Sequence, residues 1–545
     1  MDIDQLLERQ ENMEAKRGNW ESLWETVAQL VLPRADDFKS KHSPGVQRNQ
    51  RQYDAFPMGA LEKFAAAIEA GTMPRQTIWH RLTTGDEELD DVHEVQLYLE
   101  AMNGLLWRTR YSPMGNFASQ AHEKRISLGA FGTGAMLVEA RQGGGIKYKS
   151  IHLAELFIEE NTEGLVDTVH RKFELTVRQA VQLFGKNTPQ RVLAKYNNNK
   201  FSEMVEFIHC VMPRDDFEYG RMDHKGMPFA GYYFYCDGKE MVREEGFRSQ
   251  PYIVSRYTKS TREIYGRSPA IMLLPDISML NEMRRTTIEA ANMAVDKPVL
   301  MHDDISEFDL TPGARNPGTL DDNGRPLAMP WDSNSRVDIG MDMIRDTRSQ
   351  IDDGFLGVYF RVLLENPNMT ATQAMLIAQQ QGQMTSPAVG RLQTEWLGPM
   401  IRRESAILTA QGKTPEVPMA LQEHMMETGR SLEITYESPM TRSATAEESV
   451  GILRTFETLA PMAQIDPTVY DEFDTRAVAR IVAKVNGVPA KALKSKEALA
   501  AMDQAKSQQA EQQQMLEAAP VAAQTAKTIM EAQQMAQASP GQTGR

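Results

Sequence analysis

The chain has 545 residues, 41% hydrophobic and 25% charged, with a formal net charge of −14, which allows several domains and excludes a protein that grips nucleic acid over its whole surface, though not one that surrounds DNA without gripping it. The two cysteines, Cys210 and Cys236, make neither a disulfide framework nor a CxxC metal spacing and fit an intracellular setting. The start MDIDQLLERQENMEAK is acidic and polar, unlike a signal peptide, and no stretch approaches the ~18 uninterrupted apolar residues of a membrane span.

Residues 1–32 predict an amphipathic helix carrying Leu6, Leu7, Met13, Trp20, Trp24, Val27 and Leu30, ended by Pro33. Residues 34–52 are basic and polar and read as a loop. Helices are expected at 55–70, 88–111 and 116–127. SLGAFGTGAMLVEA (127–140) reads as a glycine-rich turn running into an apolar strand, with Gly129, Gly132 and Gly134 serving close backbone packing. From 146 to 260 the pattern is mostly β: strands at 146–151, 155–160, 165–173, 204–212, 229–236 and 251–257, broken by a helix at 176–184.

The stretch from Tyr265 to Trp396 organises the rest. Ser268 suits a helix cap and Pro269 its first position. Pro275 predicts a kink, and a helix then runs from about Asp276 to Lys297, where Pro298 ends it. Residues 298–336 are loop-rich, with five prolines, three glycines and seven acids against three arginines. A second helix is expected from Val337 to Phe360, with Val337, Met341, Ile344, Ile351, Phe355 and Val358 as its stripe. At 1.5 Å per residue both helices are roughly 33–36 Å long, which describes a hairpin stalk with a small acidic domain at its tip. Arg361–Met369 reads as a loop, because Asn366-Pro367-Asn368 breaks helix. Thr370 with Gln373 fits a capping box for a helix reaching about Ala410. A strand is expected at 432–436 and helices across 443–500. The tail beyond is rich in Gln and Ala, and is either a long polar helix or disordered. The fold class is therefore α+β, mostly helical.

No HExxH, CxxC pair, GxSxG or P-loop occurs, so no catalytic site, metal site or cofactor site is expected. The pairs Asp303–Asp304, Asp321–Asp322 and Asp352–Asp353 read as solvated turns and helix faces before they read as Mg²⁺ ligands.

An ordered set of motifs carries a resemblance: MPRQTIWHRL, LGAFGTGAMLVEA, IHLAELFIEENTEGLVDTVHRKFELT, PYIVSRYTKSTREIYGRSPAIMLLPDISMLN, MTATQAM, GRLQTEWLGPMI and LEITYESPM. Together they resemble the head-to-tail connector, or portal, proteins of short-tailed phages related to T7. The resemblance implies a portal fold. Its parts are a wing from 1–265, stem helices at 266–297 and 337–360, an α/β clip at 298–336, a channel loop at 361–369, a wing helix and strand at 370–440, a crown at 441–500 and a tail at 501–545. It implies a homo-oligomeric ring, commonly of twelve subunits, at one capsid vertex of the virion, assembled in the host cytoplasm and not in a membrane. Double-stranded DNA would pass through its channel without sequence recognition. Its partners would be the terminase large subunit, the major capsid and scaffolding proteins, and a tail adaptor. No enzyme activity is implied, in keeping with the missing P-loop.

Roughly twelve inner helices packed about 8–10 Å apart leave a bore of about 22–28 Å, which passes a duplex. An acidic conduit suits sliding, since many phosphate contacts would hold DNA by counterion release. In the channel loop the candidates are Arg361, Leu363, Leu364, Glu365, Asn366 and Asn368. On the stem, Arg284, Arg285, Arg345 and Arg348 either contact DNA or pair with Asp342, Asp346 and Asp352 between subunits, and pairing is favoured. In the clip, Asp303, Asp304, Glu307, Asp309, Arg315, Asp321, Asp322 and Arg325 are candidates for motor docking. The alternative is a structural scaffold or adaptor of a viral particle without a DNA channel.

Overall fold

The computed structural model describes residues 3–39, 43, 45–218, 220–303, 305, 307–331, 337–357, 388–429, 432–437, 451, 454–461, 473–485, 488–494, 498–509, 527–530 and 534. In chain order the elements are α1 (Ile3–Val31), α2 (Phe56–Thr72), β1 (His80–Thr83), α3 (Glu87–Asp90), α4 (His93–Arg110), α5 (Phe117–Phe131), β2 (Thr133–Ala140), β3 (Ile146–Ile151), β4 (Leu156–Glu160) and β5 (Val166–Thr176). There follow α6 (Val177–Phe184), α7 (Gln190–Asn197), β6 (Met204–Pro213), β7 (Phe229–Tyr235), β8 (Glu240–Phe247), β9 (Tyr252–Arg256), α8 (Pro269–Met272) and α9 (Leu274–Val295). The last are β10 (Val299–Met301), β11 (Ala328–Pro330), α10 (Val337–Gly354), α11 (Gly398–Ala410), α12 (Met419–Thr428), β12 (Glu433–Tyr436) and α13 (Thr475–Val485). The architecture is α+β.

The chain forms two compact units. The first comprises Met1–His80, Gly104–Thr414 and Tyr436–Ser443; the second comprises Arg81–Asn103, Pro415–Thr435 and Ala444–Arg545.

In the first unit an antiparallel sheet runs in the order β4-β5-β6-β7-β8. Successive side chains of a strand point to opposite faces, and β6 uses both. Val205 and Phe207 join Phe173, Tyr233 and Tyr235 under α6 and α7, while Ile208, Cys210 and Met212 join Tyr232, Phe234 and Leu6 of α1. Covered on both faces, β6 reads as the continuous apolar run FIHCVM. A second sheet, β3-β2-β9, is antiparallel throughout and packs against α5. In the second unit the backbone N–H of Ala490 donates to Glu100 at 2.7 Å, and Asn103 accepts from the N–H of Leu82 at 3.1 Å.

The structure departs from expectation at several elements. SLGAF is not a turn but the last turn of α5. The helix ends at Gly132, which takes φ 79° and donates to Leu128 O. Gly129 lies inside the helix, where a Cβ would come within 2.6 Å of Leu61 and Phe64, so its missing side chain admits α2. The second long helix closes at Gly354, short of Phe360. Gly357 N donates to Asp352 O at 2.7 Å and Leu356 N to Asp353 O at 3.1 Å, around Leu356 at φ 62°. That is a left-handed cap of the Schellman type, here built on leucine. The elements β8, α7 and α12 were not foreseen. EMVREEGF is an edge strand with charges outward, so its alternation is faint. The capping box at Thr370 and the loop Arg361–Met369 lie outside the described residues.

Candidate functional site: the helical hairpin, its root and its tip

The hairpin begins where the sequence places its cap. Ser268 accepts from Ile271 N at 2.9 Å and donates to Ala130 O at 2.7 Å, so one hydroxyl caps α8 and ties it to the end of α5. α9 and α10 pack side by side, joined through the tip.

The root of the hairpin is a crossing of two glycines. A Cβ on Gly132 would collide with the carbonyl oxygen of Gly266 and lie 2.5 Å from its carbonyl carbon; a Cβ on Gly266 would collide with the oxygen of Gly132 in return. Gly266 N donates to Thr133 Oγ1 at 2.9 Å, and Tyr257 N donates to Gly132 O at 2.9 Å. The LGAFGTGAM and YGRSP stretches therefore meet backbone to backbone.

Buried charges fasten this root to distant segments. Arg256 donates through its backbone N and Nε to Glu395 Oε2 at 2.9 and 3.1 Å, and through Nη2 to Oε1 at 2.7 Å. It also pairs with Glu160 and donates to Ile264 O at 3.0 Å. Beside Glu395, Lys124 is fully buried under the Trp396 ring at 4.1 Å and donates to Ile253 O at 2.9 Å. Burial pushes the Lys124 ammonium well below the ordinary lysine value, against a smaller pull upward from Glu395. Arg110 and Glu404, 0% and 1% exposed, form a two-pronged pair at 3.0 and 2.6 Å, with the Tyr148 hydroxyl donating to Glu404 at 2.7 Å. These contacts are invisible in sequence, since Arg110 and Glu404 stand 294 residues apart.

Segment 51–64 clamps both helices of the hairpin. Asn281 of α9 accepts from Tyr53 N at 2.7 Å and donates to Arg51 O at 2.9 Å. On α10, Arg348 pairs with the buried Asp54 at 2.7 Å and Lys63 pairs with Asp352 at 2.8 Å. Phe64 meets Phe355 edge to face at 6.3 Å. All four stem arginines thus have partners inside the chain. Arg284 reaches the Met341 sulfur at 3.9 Å, Arg285 pairs with Glu282 at 3.0 Å and with Glu289 at 3.8 Å, and Arg345 pairs with Asp342 at 3.4 Å. Arg345 and Asp342 thus pair within one chain, three residues apart on one helix face.

Away from the clamp the hairpin is poorly covered. Only Ile277, Leu280 and Asn281 of α9 are buried, and Ile288, Met293, Val295, Ile339 and Met343 are exposed.

The tip is a short antiparallel ribbon, with Leu300 opposite Met329, and two compact turns. Asn316 brackets Asp309, accepting from its N and donating to its O, both at 2.8 Å. Thr311 donates to the Asp309 carboxylate from hydroxyl and backbone and holds it below the usual carboxylate range. Asp321 accepts from Asn323 N at 2.9 Å and Arg325 N at 2.7 Å, closing a turn in which Gly324 takes φ 77°. Asp309 and Asp321 are thus builders of the tip. Asp303, Glu307, Arg315, Asp322 and Arg325 are exposed on it, beside the exposed Leu300, Leu310, Leu320, Met329 and Trp331; the apolar members went unnoticed in the sequence, where loop residues show no periodicity. Asp304 lies outside the described residues, as do Arg361, Leu363, Leu364, Glu365, Asn366 and Asn368. Among the described residues no group of three His, Cys, Asp or Glu is placed to hold a metal ion, and no helix is long and apolar enough to cross a membrane.

A long two-helix hairpin with an exposed tip, rooted in an α+β body, is the build of a structural connector. The family model for bacteriophage head to tail connecting protein matches residues 3–493, and the chain belongs to that family. It is 25% identical over 555 aligned positions to a portal protein of Salmonella phage epsilon15, covering 97% of this chain and 96% of that one. It is 26% identical over 494 positions to a probable portal protein of Bordetella phage BPP-1, covering 89% and 87%.

Proposed function

We propose that this chain is the portal subunit of a short-tailed phage: a homo-oligomer, a ring of twelve, at one capsid vertex, through which duplex DNA enters and leaves the head. The observation that carries this is the hairpin, whose apolar residues the chain itself leaves uncovered, in a chain matched almost end to end by the connector family. An exposed apolar stripe on paired helices is stabilised by neighbours, and a heterologous contact repeated around an axis closes a ring. In this assignment residues 266–297 and 337–354 are the stem, 298–336 the clip, 361–369 the channel loop, 1–265 and 370–440 the wing, and 441–500 the crown, followed by the tail.

The clip would dock the terminase large subunit during packaging and the tail adaptor afterwards; the wing would meet the major capsid and scaffolding proteins. Three of the four stem arginines, Arg285, Arg345 and Arg348, have carboxylate partners in the same chain, which partly offsets their charge and suits sliding. The protein works as a conduit and carries no reaction of its own.

Negative-stain imaging and native mass spectrometry of the purified protein test the assembly: annular particles with a central hole are expected, and monomers alone at micromolar concentration overturn it. Deleting 303–332 should leave rings intact and abolish motor binding. Replacing 363–368 with a Gly/Ser linker should impair packaging or retention of packaged DNA.

A further inference from the structure

We infer that residues 473–509 of the second unit carry a binding surface for the phosphate backbone of duplex DNA; this rests on the assignment of the chain as a DNA conduit. Residues 475–496 hold Arg476, Arg480, Lys484, Lys491, Lys494 and Lys496 and no Asp or Glu. Across 473–509 seven cations (adding Lys506) face three acids, Asp474, Glu497 and Asp503, a net of +4. The chain as a whole carries −14, so the remainder carries −18. A local excess of this size against a strongly acidic background concentrates any polyanion on one segment.

Among the described residues the fold gathers Arg476, Arg480, Lys491 and Lys494. Arg476, Arg480 and Lys484 recur every four residues of α13, so their Cα atoms rise by about 6 Å each along one side of the helix. The Arg480 guanidinium donates to Lys494 O at 3.4 Å, which brings the following turn against α13. That turn is pinned by Ala490, which is buried and donates its N–H to Glu100 at 2.7 Å. Arg476, Lys491 and Lys494 are exposed. Two of the three acids are already engaged. Asp474 accepts from Arg476 N at 2.9 Å and Ala477 N at 3.1 Å as a helix cap. Asp503 pairs with Arg476 in solvent, where an ion pair is weak and exchangeable.

The chemistry selects the ligand. No Phe, Tyr or Trp occurs between 474 and 509, so there is no stacking platform for unpaired bases. Lysines and arginines on a helix and turn meet phosphates without reading bases.

The test uses purified full-length protein and a covalently closed circular duplex, which cannot thread a preassembled ring, so that retention reports binding that does not require threading. Filter binding at 50 and 200 mM salt is the readout. With about three phosphate contacts, affinity should fall about 40-fold between the two salts. Arg480→Gln/Lys491→Gln/Lys494→Gln should bind at least tenfold more weakly at 50 mM, with a flatter salt dependence and an unchanged thermal melt. A control triple in the first unit, Lys186→Gln/Arg191→Gln/Lys200→Gln, should bind like wild type. The proposal is overturned if the first variant binds within twofold of wild type or if the control loses as much. It is also overturned if wild type fails to retain the circle, and retention of polyglutamate in that case would assign the surface to an acidic protein. Imaging of the same preparations separates the two claims. Missing rings sink the portal assignment, whereas intact rings with unchanged circle binding in the variant sink only this surface.

Discussion

Replacing Gly132 by alanine should undo the root of the hairpin. At φ 79° an alanine pays the left-handed penalty of about 1–2 kcal/mol. Its Cβ would also sit 2.5 Å from the Gly266 carbonyl carbon and 2.6 Å from that of Arg267. Those atoms are backbone and cannot rotate away, so overpacking adds about 1–3 kcal/mol, for about 2–5 kcal/mol in all. Gly266 has no positive φ, and an alanine there meets the Gly132 oxygen and, at 2.9 Å, Arg256 Cβ; about 1–3 kcal/mol is expected. Both substitutions strain one crossing, so the double variant should cost less than the sum, once the strands have separated to admit the first methyl. Urea unfolding followed by tryptophan fluorescence should give midpoints in the order wild type, Gly266→Ala, Gly132→Ala. Ring yield should fall with them, because the first helix of the stem follows directly from this crossing. A Gly132→Ala protein that unfolds at the wild-type midpoint would refute the packing account of the root.

Glu404→Gln should destabilise the first unit by about 3–5 kcal/mol, because it leaves the Arg110 guanidinium buried without its counter-charge; a melt within 2 °C of wild type would contradict that. Asp54→Asn, removing the buried carboxylate that holds Arg348 at 2.7 Å, should cost about 1.5–3 kcal/mol and raise hydrogen exchange in α10 more than in β6. Acid should destabilise the protein through its buried histidines. Burial, with Arg110 and Arg9 nearby, holds His80 at about 2 and His170 at about 3, and His209 is also depressed by burial and by Arg171. Since the folded values lie below the unfolded 6.5, the unfolded chain gains protons that the folded chain refuses. Their stability contribution is constant above pH 6.5 and is lost as pH falls below it, by about 3 kcal/mol at pH 5.5 from His80 and His170 together, with His209 acting in the same direction. Replacing His170 with Gln should remove about 1.4 kcal/mol of that loss in a series of melts from pH 7.5 to 5.5.

Much of the hairpin is legible locally. Ser268-Pro269 opens it, Pro298 closes α9, and apolar spacing marks both helices, because caps and helical stripes are set by residues within one or two turns of one another. The strands of the larger sheet are legible for the same reason, as FIHCVM is apolar on both faces. The edge strand β8 is not, since one side of it faces water and its apolar alternation is broken by charge. The clip shows as an acidic, proline-rich interruption, but not which of its acids build turns, as Asp309 and Asp321 do, and which stand free.

Local patterning along the chain marks most of the elements and a long helical hairpin bearing an acidic tip. What anchors that hairpin is set by the fold. Nothing near Arg348 or Asp352 in the sequence points to their partners within the chain: Arg348 meets Asp54, 294 residues away, and Asp352 meets Lys63. The sequence marks Gly132 for close backbone packing, and only the fold supplies Gly266 as its partner. Charge pairing and close packing depend on which surfaces the topology presses together. A guanidinium withdrawn from water is held by whichever carboxylate the fold withdraws with it, and no periodicity along the chain records that choice.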